Sequence, residues 1–307
     1  MQIYKCKICS TTIGNQPIVV REMMFGFRDE FLYFNCSSCG CLQIVNIPQD
    51  LAKYYPADKY LPHKKNNANY KIKNIIKQLI ICGYFNGVVP LNFKYLQSII
   101  WLSLLKKIQK PTSILDIGCG IGNLLNDMAS WGFNNLTGID PFIENDISYP
   151  SRAKIYKKNI FEYTEKHDLI MMHHSFEHMD NPYEVLKKCY HLLTPGGKLL
   201  IRIPVADCFA YRKYGPNWYQ LDAPRHFFLH TTRSISMLAK KTGFTTKQIE
   251  YDSNIYQFIY SEQYCKDITL YENVKIPSAR IKVLNKQARK LNLLHDGDQA
   301  IFYFIKK

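Results

Sequence analysis

The sequence predicts an α/β protein whose main part is a Rossmann-like, seven-stranded, mostly parallel sheet. Three observations carry this. From Pro111 onward, short apolar runs alternate with helix-period stretches, the signature of parallel strands joined by crossovers. A glycine-rich loop, ILDIGCGIGNLL, turns the first of these strands into a helix. A second helix stops at TPGG and is followed by another apolar strand, KLLIRIP. The chain has 307 residues, 47% hydrophobic and 21% charged, so it can bury that domain plus one small module and is not disordered.

In chain order, SILDI is the first strand and GNLLNDMASWGF the helix after the loop. LTGID, AKIYKK and DLIMM follow as strands two to four. A helix over Tyr183–Leu193 leads to the fifth strand, then come the helix SISMLAKKTGF and the strands TTKQIEYD and QAIFYFI. Ahead of this domain lie two other zones. Residues 1–48 hold two C-x-x-C pairs among short β-like runs. Residues 49–110 carry eleven Lys/Arg against Asp50 and Asp58 and read as a basic, largely helical connecting or lid segment. Within that segment KIKNIIKQLIICGYF has apolar residues at helical spacing, which suits a packing helix, a lid or a helix lying on a membrane surface.

Cys6-x-x-Cys9 and Cys36-x-x-Cys39 are 26 residues apart, and together they supply four thiolates for one tetrahedral zinc. Cys41 is an alternative to Cys39, but the C-S-S-C spacing favours Cys39. The remaining cysteines are scattered singly, as in a chain from a reducing compartment. The first residues, MQIYKCKICS, lack the apolar stretch of a secretory signal, and no uncharged run is long enough to span a bilayer, so the expected location is cytoplasmic. The excess of 40 Lys/Arg over 25 Asp/Glu reads first as a lysine-rich surface, and second as an affinity for anionic partners.

In the glycine loop, Asp116 ends the first strand, and Gly118, Gly120 and Gly122 let the chain turn and a ligand approach the next helix. Asp140, at the end of the second strand, can accept both hydroxyls of a ribose. The dinucleotide pattern G-x-G-x-x-G fails, because its third glycine position holds Asn123.

Taken with LTGID, DLIMMHHSFEHMDNP and LTPGGKLLIRIP in order, the loop resembles that of class I S-adenosylmethionine-dependent methyltransferases. The resemblance implies that the loop lies under the methionine part of S-adenosylmethionine, that Asp116 supports it and that Asp140 holds the ribose. It leaves the adenine to Asn159 or Glu162 and puts His174 at the cofactor face. The N-terminal zinc ribbon, LAKYYPADKYLPH and GPNWYQLDAPRHFFLHTTRSISMLAKKTGF are similar to methyltransferases found with sugar and surface-polysaccharide biosynthesis. That implies a small-molecule or glycan acceptor.

Two motifs point elsewhere. His174-x-x-Glu177-His178 spells an inverted zinc-protease motif but follows a strand, not a helix start. In quinone-directed methyltransferases an E-x-x-E-H run can hold a divalent metal. Here His174 replaces the first glutamate, so a structural or substrate-facing role for Glu177 and His178 is the first reading. Asp180-Asn181-Pro182-Tyr183 resembles a nucleic-acid amino-methylating motif but lies past the strand end and reads as a turn opening a helix. For a hydroxyl acceptor, histidine is the usual proton acceptor; the candidates at the cofactor face are His174, His178 and His226, with His226 and His178 taken as the catalytic pair. His226 lies in QLDAPRHFFLH, where Arg225 is a candidate to hold an acceptor phosphate or carboxylate; the rival role for His226 is to brace the loop against Asp222. The alternative function is a nucleic-acid-binding ribbon protein that methylates RNA.

Overall fold

The computed structural model describes residues 3–56, 79–85, 87–88, 101, 112–272 and 274–307. The basic segment read over 49–110 therefore lies largely outside the described residues. Within it, 79–85 is helical, with Ile81 and Tyr84 buried in the same cluster as Trp131 and Phe133.

The N-terminal module has three strands, β1 (Gln16–Arg21), β2 (Glu30–Asn35) and β3 (Leu42–Ile44), paired as an antiparallel meander. The larger sheet takes β4 (Ser113–Ile117), β5 (Asn135–Ile139), β6 (Ile147–Ser148), β7 (Lys154–Tyr156), β8 (His167–His173) and β9 (Leu193–Pro204). A two-residue strand, β10 (Phe228–Leu229), precedes β11 (Phe244–Tyr251) and β12 (Gln299–Lys306). The eight-stranded order is β11-β12-β9-β8-β4-β5-β7-β6. Pairing is parallel from β9 through β8, β4 and β5 to β7. β12 runs antiparallel to both of its neighbours, and the short β6 runs antiparallel to β7. The seven expected strands are all present, and β6 is an eighth at the edge.

The sequence explains the central position of β4: four of its five residues, Ile114 to Ile117, are buried, as a strand covered on both faces requires. Helix α1 (Asn123–Ser130) begins behind the glycine loop. Helix α2 (Pro182–Leu192) has its proline at the first turn, where a missing N–H costs nothing, so D-N-P-Y opens a helix. TPGG does stop this helix, but the strand already begins at Leu193 and the four residues bulge within it: His167 pairs with Leu193 and Leu169 with Lys198. Helices α3 (Phe209–Tyr214), α4 (Thr232–Lys241), α5 (Tyr256–Tyr264) and α6 (Ser278–Leu293) follow. Among the described residues no helix is long and apolar enough to cross a membrane.

The small sheet is completed from a distance. β10 pairs antiparallel with β3, giving the order β1-β2-β3-β10. The loop that follows β9 is thus part of both units.

Candidate functional site

The candidate site lies at the carboxyl ends of the parallel strands, where open α/β sheets leave a crevice for a ligand. On one side, β4 ends at Asp116-Ile117 and the chain turns through three glycines of positive φ: Gly118 (+73°), Gly120 (+54°) and Gly122 (+80°). A Cβ on Gly118 would stand 2.4 Å from the Cβ of Ser175, and one on Gly122 2.3 Å from Ile155 Cδ1. No side chain fits at either position. Asp140 fastens the turn: its Oδ2 accepts from the Gly120 amide at 2.8 Å and its Oδ1 from Phe142 N–H at 2.9 Å. Asp116 is buried, and burial together with Asp140 pushes its carboxyl up to about 8. Its Oδ1 accepts no hydrogen bond among the described residues, an orphaned acceptor at the floor of the loop. A side-chain-free cradle with a buried, unpaired acceptor fits the cationic methionine end of S-adenosylmethionine.

The residues read for the adenine are engaged locally. Asn159 Oδ1 accepts from the amides of Phe161 and Glu162, while Glu162 Oε2 accepts from the Asn159 amide. The sequence reading passed over two aromatic side chains at the same strand ends, Phe142 after β5 and Phe161 after β7, which are 81% and 53% exposed. Exposed aromatics beside a glycine loop are a signal that sequence alone could not supply, because exposure is not written in it.

On the other side, β8 runs into His174, which sits at φ +51°, and a 3-10 turn over Phe176–His178. A non-glycine residue in the left-handed region is uncommon, and Asp222 in the facing loop shares the feature at φ +39°. The two elements are stitched by the Phe227 amide donating to Glu177 O at 2.8 Å. This brings Glu177, His178 and His226 together: one ligand-capable atom from each lies within 4.8 Å of the others. The imidazole rings of His178 and His226 meet edge to face at 4.7 Å.

The tautomers follow from the partners. His226 Nδ1–H donates to Gln220 O at 2.7 Å, and His178 Nδ1–H donates to Arg225 O at 2.8 Å. In its neutral form each ring carries its lone pair on Nε2. For His226 that nitrogen lies 3.8 Å from Asp222 Oδ2 and 3.9 Å from Glu177 Oε1. His174 Nε2 accepts from Arg202 at 2.9 Å, which leaves its Nδ1–H facing Glu177 Oε1 at 3.5 Å, long for a hydrogen bond. Burial opposes the charge of Glu177, but the imidazoles of His174, His178 and His226 hold its carboxyl down at about 2. Burial, and then His226, lower the pKa of His178.

Arg225 does not face an acceptor. It is fully buried, and its guanidinium is spent on Asp222 (2.6 and 3.0 Å), Glu22 (2.9 Å) and the carbonyl of Tyr54 (3.0 Å), with Phe25 stacked 5.0 Å away. The expectation that it binds an acceptor anion is corrected: a guanidinium with two carboxylates and no exposed surface is an anchor. It ties the loop carrying His226 to the N-terminal module.

In that module the four expected cysteines converge. Cys6 and Cys39 sulfurs are 3.6 Å apart, those of Cys9 and Cys36 3.4 Å, and all four lie within 4.8 Å of one another. A tetrahedral zinc with Zn–S of about 2.3 Å sets sulfurs about 3.8 Å apart, so the group fits the metal. Cys6 Sγ accepts from Gln43 Nε2 at 2.9 Å and from the amides of Ile8 and Cys9, donors that stabilise a thiolate. Cys41 stands outside the group, buried 3.8 Å from His230 Nδ1.

Comparison with known proteins gives the following similarities. A family model described as "Methyltransferase domain" matches residues 92–249. The chain is 31% identical over 112 residues to the ubiquinone biosynthesis O-methyltransferase of Pseudomonas savastanoi pv. phaseolicola, covering 32% of this chain and 48% of that protein. It is 28% identical over 155 residues to the enzyme of the same name from Pseudomonas fluorescens, covering 44% and 66%. The chain spans about half the length of the first of these relatives. Among solved structures, the cyclopropane synthase MmaA2 from Mycobacterium tuberculosis is similar at a TM-score of 0.46 and 18% identity, over 69% of this chain and 85% of that one.

Proposed function

The chain belongs to the class I S-adenosylmethionine-dependent methyltransferase family, and on that premise we propose that it methylates a hydroxyl of a small-molecule acceptor, with a sugar or glycan intermediate as the favoured class. One observation carries the proposal: Gly118 of the cofactor loop packs on Ser175, two residues before Glu177, so the Glu177–His178–His226 cluster adjoins the cradle. Bound S-adenosylmethionine supplies an electrophilic methyl on sulfur. The protein's part is to position the acceptor and prepare its oxygen. His226 and His178 are proposed to do this, because each offers an Nε2 lone pair while its Nδ1–H is fixed on a backbone carbonyl. Asp116, Gly118, Gly120, Gly122 and Asp140 are the proposed cofactor residues, with His174 at the cluster's edge and Asn159 the weakest member. Cys6, Cys9, Cys36 and Cys39 are proposed to hold one structural zinc; a full thiolate shell leaves no position for chemistry. A cytoplasmic location accords with the abundance of free cysteines.

A second reading of the acceptor has one support of its own. The matched relatives are named O-methyltransferases of ubiquinone biosynthesis, which favours oxygen as the methylated atom and admits an aromatic hydroxyl. A screen with radiolabelled S-adenosylmethionine against nucleotide sugars and catechols separates the two. Once an acceptor is found, His226→Ala should lower kcat about a hundredfold while cofactor affinity holds. Turnover within a fewfold of wild type would remove His226 from that role.

A further inference from the structure

We infer that the solvent face of helix α6 is a docking surface for an anionic lipid membrane. The inference goes beyond the methyl-transfer reading and does not depend on which acceptor is methylated. Charge comes first. Between Lys275 and His295 the chain holds six Lys/Arg and no Asp/Glu. Of the neighbouring acids, Glu262 pairs with Arg280 and Asp296 with Arg212. Lys282, Lys286, Arg289 and Lys290 are exposed and make no ion pair among the described residues. A charge run alone is usually no more than a solvated face. This one has a second property.

The cations share their face with exposed apolar side chains. Leu284, Ala288 and Leu291 are the row that α6 buries against the sheet domain. Lys282, Lys286, Arg289 and Leu293 each stand two residues from a member of that row, which at about 3.6 residues per turn puts them on the opposite side of the helix. Val283 and Leu294 lie together on one flank. Val283, Leu293 and Leu294 are 65%, 83% and 63% exposed. A nucleic-acid backbone attracts the lysines but gives the leucines nothing to bury in. The boundary between anionic headgroups and acyl chains takes up both.

The position of the helix gives the surface a direction. β9 ends at Pro204 beside the start of β12 at Gln299, and β11 ends at Tyr251 beside Ala300. These termini share the edge of the sheet where the candidate site lies. Asn292 is fastened to the same edge: its Nδ2 donates to Ser253 O at 2.9 Å, and its Oδ1 accepts from the Ser253 amide at 3.1 Å. Leu293 and Leu294 follow directly, so a membrane under this end of α6 lies on the same side of the sheet as the site.

The test is sedimentation of the full chain with vesicles of phosphatidylcholine mixed with phosphatidylglycerol, set against phosphatidylcholine alone. The chain should sediment with the mixed vesicles only, and less as salt screens the attraction. Lys286→Glu combined with Arg289→Glu should weaken partition about tenfold or more. Leu293→Asn combined with Leu294→Asn keeps every charge and should weaken it about fivefold or more, through lost apolar burial. Lys187→Glu combined with Lys266→Glu makes the same change of net charge elsewhere and should leave partition within about threefold. All six positions are exposed, and melting curves with calorimetry of S-adenosylmethionine binding report whether each variant is folded. No sedimentation with the mixed vesicles, or undiminished partition in both helix variants, overturns the docking surface. Loss in the charge variant with none in the leucine variant, together with salt-steep binding of single-stranded RNA, also overturns it, in favour of a nucleic-acid surface.

Discussion

The two walls of the site are built in different ways. The proposed cofactor wall is mostly local: Gly118, Gly120, Gly122 and Asp140 lie within one β-loop-α-β unit, and the Gly120 amide donates to Asp140 across 20 residues. The proposed acceptor wall is assembled from segments far apart in the chain. Tyr33 Oη donates to His226 O across 193 residues, Arg225 reaches Glu22 across 203, and Thr231 Oγ1 donates to Cys39 O across 192. One wall can form wherever its motif is written. The other exists only once the cysteine module has docked.

The comparison can be tested by breaking one wall and asking whether the other survives. Cys36→Ser should cost most, because a structural zinc contributes roughly 10–16 kcal/mol in isolated fingers. Elemental analysis should show about one equivalent lost, and turnover should collapse, while cofactor affinity by calorimetry stays within about threefold. Arg225→Ala comes next: it leaves Glu22 as a buried carboxylate without its cation, and denaturant unfolding should show a loss of about 3–5 kcal/mol. Asp140→Ala addresses the local wall. It should weaken S-adenosylmethionine binding by about 1.5–3 kcal/mol, the scale of a charge-assisted hydrogen bond, and leave metal content unchanged. Smallest is Thr231→Ala, which removes the N-cap of α4 together with the bond to Cys39 O; about 1 kcal/mol of stability should go, with cofactor affinity untouched.

Legibility in the sequence divides along the same line. The parallel strands and the glycine loop were readable because their signals, period and spacing, act over a few residues. Arg225 was misread as an acceptor ligand because nothing near it in sequence announces Glu22. Likewise β10 is two residues long and carries no strand pattern of its own. Helix α5 escaped because Gln257, Phe258, Ile259, Ser261, Gln263 and Tyr264 are all buried, so no polar face marks its period, and its aromatic residues favour strands. For α6 the signal was present and unused: its buried residues Leu284, Ala288 and Leu291 follow helical spacing. The meeting of Glu177, His178 and His226 was half legible, since the motif supplied two members and the fold the third.

The pairing of β10 with β3 also sets a clock. Synthesis proceeds at about 5–20 residues per second, and roughly 180 residues separate the two strands, so a nascent module waits about ten to forty seconds with an open sheet edge. Nothing encoded earlier can close that edge in the native way, and unpaired edges invite the wrong neighbour. A fragment ending before residue 228 inherits the open edge permanently, and one beginning after residue 48 keeps Arg225 without Glu22. The cysteine module and the sheet domain are therefore one unit of expression, to be cut nowhere between them.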